Sequence, residues 1–261
     1  MVSGVLSTLQ RIRVTVVYAA ILVAVATVLV ELGPRMQERV IDHASTNLHN
    51  LAHGRIGTLV GSAFVMEAGP IYLWLPGLVC LLAVAELVWR SGRLVIAFTV
   101  GHVGATLVVA AGLVTAVKLG WLPVSVSRAT DVGMSYGAAA VLGALTSALP
   151  VRWRPIWIGW WVAVAVSVAA LSHDFTDVGH GVALVLGMVV STRFGVPDRW
   201  TPVRYLLLGA AAMFGLMLLA NTVPAMVASV GAGLVGAAGG WAVARRGALT
   251  RRAVIQLDPS L

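Results

Sequence analysis

Eight stretches of this sequence are each long and apolar enough to cross a lipid bilayer, which restricts the chain to a bundle of membrane helices. A crossing takes about 20 predominantly apolar residues. Such runs lie near residues 14–32, 71–89, 94–117, 132–149, 156–172, 176–192, 204–220 and 223–243. Bilayer interiors offer backbone amides no water to pair with, so runs of this kind are helices, and the expected fold is an all-α polytopic membrane protein. Composition agrees: 59% of residues are hydrophobic and 11% charged, against roughly 25% charged in soluble domains. Arg11 and Arg13 before an apolar stretch imitate a signal peptide, but the stretch runs on to Leu32 and reads as an uncleaved first span. RIGTLVGSAFVMEAG, from Arg55 to Gly69, is too short to cross and reads as an interfacial or re-entrant segment.

The formal net charge of +8 is topological, because the cations sit in short runs between the spans. A nucleic-acid partner is not expected, since no basic face carries base-contacting or stacking groups. With the N-terminus inside, Arg11, Arg13, Arg90, Arg93, Arg152, Arg154, Arg193, Arg199, Arg204, Arg245, Arg246, Arg251 and Arg252 face the cytoplasm. Only Arg35, Arg39, Arg55, Lys118 and Arg128 fall outside, a bias that predicts both termini cytoplasmic in a multi-pass protein of the cell membrane. No soluble domain is visible; the longest polar stretch is the outer loop 33–70. Cys80 is the sole cysteine, and no His/Cys spacing suits zinc. No metal and no cofactor are expected.

Polar side chains inside spans are costly and are functional candidates by default. Ser135 lies roughly 5 Å and His180 roughly 6 Å into the fourth and sixth spans at 1.5 Å of rise per residue, both spans entering from outside. A serine hydroxyl becomes a nucleophile when a neutral imidazole accepts its proton. Gly133 and Gly137 flank the serine, and Gly179, Ala183 and Gly187 make a small-residue stripe beside His180, so the two helices can approach closely. A helix N-terminus at Ser135 offers free amides to a developing oxyanion. A serine among glycines is also ordinary helix packing. His102 reads as a core histidine or internal donor, and Glu86 as snorkelling near the inner end of its span. Asp177, one turn above His180, has the position to orient it, although a solvated loop acid is the first reading. His173 and Asp174 fall in the same outer loop.

These residues resemble the rhomboid family of intramembrane serine proteases, which carries a serine in G-x-S-G at the outer start of the fourth span and a histidine in an A-H-x-x-G-x-x-x-G-like pattern on the sixth. Here the fourth opens Gly133-Met134-Ser135-Tyr136-Gly137, and the sixth carries His180 and Gly187 in GHGVALVLG. TLVGSAFV, Thr58 to Val65, is similar to the stretch leading into the family's second span. The resemblance covers about residues 10–195. It implies a six-span core (1–195, with the partly embedded loop 33–70) and two added spans with a basic tail (196–261). It also implies Ser135 and His180 as the catalytic pair, with Gly133 and Tyr136 as motif and oxyanion support. Partners would be single-span membrane proteins, as substrates or clients, and the bilayer itself.

Three features depart from the family. Tyr136 replaces the second glycine, IYLWLPGLVC stands where the family has H-x-x-x-N, with Tyr72 and Pro76 near those places, and the outer-loop W-R pair is missing. The donors of NLHNLAHGR (Asn47, His49, Asn50 and His53) are the available substitutes. Two readings follow: a protease, or an inactive relative that binds membrane clients. A small transporter, with His102, His180 and Glu86 along a water path, is the unrelated alternative. G-x-x-x-G spacing among Gly231, Gly233, Gly236, Gly239 and Gly240 predicts a packed interface, within the chain or in a homo-oligomer.

Overall fold

The computed structural model describes residues 9–66, 71–172, 174–197 and 199–257, with side chains as far as Arg246. Its helices are α1 (Arg13–Leu32), α2 (Pro34–Ala44), α3 (Leu48–Ala52), α4 (Thr58–Gly61), α5 (Ile71–Lys118), α6 (Ser135–Ala148), α7 (Arg154–Ser172), α8 (Phe175–Ser191), α9 (Pro202–Leu219) and α10 (Val223–Leu257). There is no strand among the described residues, so the all-α expectation holds. α1, α5, α7, α9 and α10 are long and apolar enough to cross a membrane. α5 has 48 residues and breaks at Arg90, where φ is 69° and ψ is 167°. Its two arms correspond to the second and third spans, divided within the Arg90–Arg93 run that separates them in the sequence.

α6 is the shortest of the apolar helices and forms the centre of the bundle. Every residue from Tyr136 to Ala148 is buried. Its sequence, SYGAAAVLGALTSA, permits this because small side chains let neighbouring backbones come close. A side chain at Gly187 of α8 would collide with the carbonyl of Ala140, and one at Gly143 with the carbonyl of Leu184. Gly179 lies under the ring of Tyr136. The pairs 136/179 and 140/187 advance together, so α6 and α8 run parallel, as two spans entering from the same side must. Gly137 differs from its expected role: it faces the ring of Phe98 on α5 rather than α8.

The last two helices are packed into this bundle. Ala211, Phe214 and Leu219 of α9 are buried in the main core, and Gly215 fits against Leu142 and Trp161. The glycine-rich face of α10 is internal: Gly233, Gly236 and Gly240 meet Trp160, Gly159 and Pro155 of α7, while Gly231 and Gly239 face open space.

Glu86 does not snorkel. It is 1% exposed and caps α1, accepting the amides of Val14 and Thr15 (3.0 and 2.9 Å) and the hydroxyls of Thr15 and Ser91 (2.7 Å each). A carboxylate at a helix N-terminus is favoured by the dipole and by the unpaired amides there. Those partners lie 71 or more residues away for the α1 donors, which is why depth alone misassigned the residue.

Candidate active site

The site begins with a turn that other segments hold in place. The amide of Asp131 donates to Ser45 Oγ (2.8 Å), and its carbonyl accepts from the amide of Thr46 (2.9 Å). Gly133, at φ +119°, donates its amide to the carbonyl of Ser62 (2.8 Å). That backbone geometry is open to glycine at little cost, and it ends the extended chain so that α6 starts at Ser135. The serine is therefore the first residue of its helix rather than some way inside it.

Position one has a consequence. The first amide of α6 to find a backbone acceptor belongs to Ala138, bonded to Met134 (2.9 Å). The amides of Ser135, Tyr136 and Gly137 have no acceptor among the described residues, which is what a helix N-terminus leaves over. Ser135 and His180 line one cavity of about 280 Å³, together with Tyr136, Asp131, Asp174 and Thr176. His180 is 8% exposed. Its Nδ1 lies 3.4 Å from Asp177 Oδ1, and its Nε2 is buried without a partner. No hydrogen bond joins Ser135 to His180. The ring of Tyr136 stands edge-on to the imidazole, centroids 5.3 Å apart, with its hydroxyl also buried and unpartnered.

Of its two sequence readings, Asp177 matches the one that sets it beside His180. It is not a solvated loop acid but a buried residue in the first turn of α8, three positions before His180. The i, i+3 spacing that places both on one helix face was the available signal. Asp174 is exposed and caps α8 by accepting the amide of Thr176 (2.9 Å). His173 lies outside the described residues. Burial pushes the Asp131 carboxyl up to about 6, helped by the charge of Asp174 and opposed by His180.

The outer-loop donors go elsewhere. Asn50 spends its amide on the carbonyls of Asp42 and Ser45 (2.8 Å each), Asn47 caps α3, and His49 and His53 lean on each other at 4.3 Å. None of them lines the cavity. His102, from α5, is a core residue with one bond, Nε2 to Ser62 Oγ at 3.1 Å; Thr46 Oγ1 donates to the same Ser62 Oγ (2.9 Å). This Thr46–Ser62–His102 link, which ties the third span to the serine turn, could not be read from spacing.

A sequence model of the rhomboid-like protein family matches residues 8–194. The chain belongs to the rhomboid-like family. The match takes in the turn, Ser135, Asp177 and His180, and ends after α8. No curated protein and no solved structure matches the chain significantly. This rhomboid-like chain is a multi-pass membrane protein. Its Tyr72, near the place of the family's H-x-x-x-N, is exposed on α5 and lines no part of the Ser135 cavity.

Proposed function

We propose that the protein is an intramembrane serine protease that cleaves the membrane segments of single-span proteins near the outer face. The observation that carries this reading is His180: its Nδ1 is turned toward Asp177, its Nε2 is buried without a partner, and the cavity it lines also holds Ser135. A carboxylate on Nδ1 favours the tautomer whose Nε2 accepts a proton.

In this mechanism Ser135 Oγ bonds to the scissile carbonyl carbon while its proton passes to His180 Nε2. The carbonyl oxygen becomes an oxyanion facing the free amides of the first turn of α6. Collapse breaks the C–N bond, and the proton moves from His180 to the leaving amine. Water admitted through the polar cavity then releases the acyl group. Closure of the Ser135–His180 hydrogen bond accompanies substrate entry, since catalytic bonds tighten in the Michaelis complex. The arginine bias supports an orientation with both termini in the cytoplasm.

A second reading rests on two observations: no bond joins Ser135 to His180, and Tyr136 fills the space beside the imidazole. In that case the fold binds membrane clients without cutting them. Labelling with a fluorophosphonate probe in lipid and in detergent separates the two. The protease reading expects wild type to label and Ser135→Ala and His180→Ala to stay unlabelled. Unlabelled wild type, beside an active rhomboid that labels, overturns it in favour of client binding.

A further inference from the structure

Six arginines converge on one cavity of about 880 Å³ at the end of the bundle away from Ser135: Arg11, Arg13, Arg90, Arg93, Arg199 and Arg204. The two ends are told apart by α1, whose last turn packs near Val132 through Leu29 and whose first residue is Arg13. Among the described residues, the acid lining the cavity is Glu86, already occupied in capping α1. Arg204 donates to the carbonyls of Leu87 (2.7 Å) and Arg199, and Arg13 reaches Ser91 Oγ at 3.4 Å. The side chains of Arg11, Arg90, Arg93 and Arg199 donate to no acceptor among the described residues, and no ion pair reaches any of the six there.

The positive-inside tendency explains why arginines gather on one side of a membrane. It does not explain their arrangement around a cavity, nor the backbone of Arg90. At φ 69° and ψ 167° this residue occupies a region otherwise nearly reserved for glycine, although Gly92 lies two positions along. The strain sits at a residue whose side chain lines the cavity.

Arg13 also borders a second space, an apolar groove of about 450 Å³ that climbs between α1 and the second arm of α5 past Val17, Ile21, Leu94, Val95 and Phe98. A cationic cavity and an apolar groove that share Arg13 in their linings fit an amphiphile with an anionic head. We propose that the two spaces form one binding site for an anionic glycerophospholipid, its phosphate held by the arginines and one acyl chain lying in the groove. Basic pockets between membrane helices bind such headgroups on the same electrostatic grounds.

The test is native mass spectrometry of the full chain in a neutral detergent, titrated with phosphatidylglycerol or phosphatidylcholine of equal chain length. Wild type is expected to prefer phosphatidylglycerol by about tenfold or more. Arg11→Gln/Arg93→Gln, which removes side chains without partners among the described residues, should reduce that preference to about threefold or less. Arg90→Gly should reduce it too while holding or raising the melting temperature, which separates binding from folding. Val17→Trp, filling the groove, should weaken both lipids and leave their ratio alone. Equal binding of both lipids by wild type overturns the proposal. So does an equal loss in Arg152→Gln, a cation outside the cavity, which would mark diffuse charge. Competition by inorganic phosphate as effective as the lipid itself would reduce the site to a simple anion pocket and overturn the lipid assignment.

Discussion

Glu86 and His180 are both ionisable, both buried and both close to the start of another element's helix, yet the bundle treats them oppositely. Four donors converge on Glu86 and use its carboxylate fully. His180 is held from one side by Asp177, and its other nitrogen is left buried and unspent. Burying polar capacity without a partner is costly. His102 also keeps one ring nitrogen buried without a partner, so what sets His180 apart on the proposed reading is the cavity it shares with Ser135.

Substitution can break that contrast most sharply at His180. His180→Ala is expected to lower the rate of serine labelling by about 10³-fold, in the range of a lost general base, with the melting temperature little changed. Thermal unfolding of the same sample checks both halves; parallel losses of fold and labelling would remove the distinction. Glu86→Ala should do the reverse. It leaves buried donors unpaired and should cost about 3 kcal/mol of stability, while the fraction that stays folded labels at the wild-type rate.

Smaller changes sharpen the contrast. Gly187→Ala drives a methyl into the carbonyl of Ala140 and should cost about 2 kcal/mol, shifting α8 and with it the imidazole, so stability and labelling should fall together. Asp177→Asn keeps the shape but loses the charge on Nδ1, and about a tenfold drop in labelling is expected, a modest part of a general base's contribution. The smallest effect concerns pH. The carboxyl of Asp131 is raised from 3.8 to about 6, so the folded state holds a proton that the unfolded chain releases sooner. Its contribution to stability is therefore complete below about pH 4 and lost as pH rises toward 6. Asp131→Asn should flatten unfolding curves across that window, and an unchanged slope would place the carboxyl in water.

Legibility followed the range of the forces involved. The spans, the break near Arg90 and the matched depth of Ser135 and His180 early in their spans are written locally, because bilayer thickness fixes run length and charge marks the ends. The contact of Asp177 with His180 was half visible in its i, i+3 spacing, but its burial was not, since burial depends on how α8 seats against α6. The cap provided by Glu86, the collar of Ser45, Thr46 and Ser62 around the serine turn, and the pairing of Gly143 with Leu184 all join distant segments. Only folding brings them together. Gly133 is intermediate: its place beside the serine was plain, whereas the turn that makes Ser135 the first helical residue needed a backbone angle.

Ser62 faces two ways. Its carbonyl takes the amide of Gly133 and its hydroxyl meets His102, so one residue fastens the outer loop both to the third span and to the turn that aims Ser135. On the proposed protease reading, a visiting helix that pushed this loop aside to enter would also pull on the nucleophile's aim. Admission and alignment would then behave like a door and its latch on one hinge, and cutting would wait until the loop had swung back.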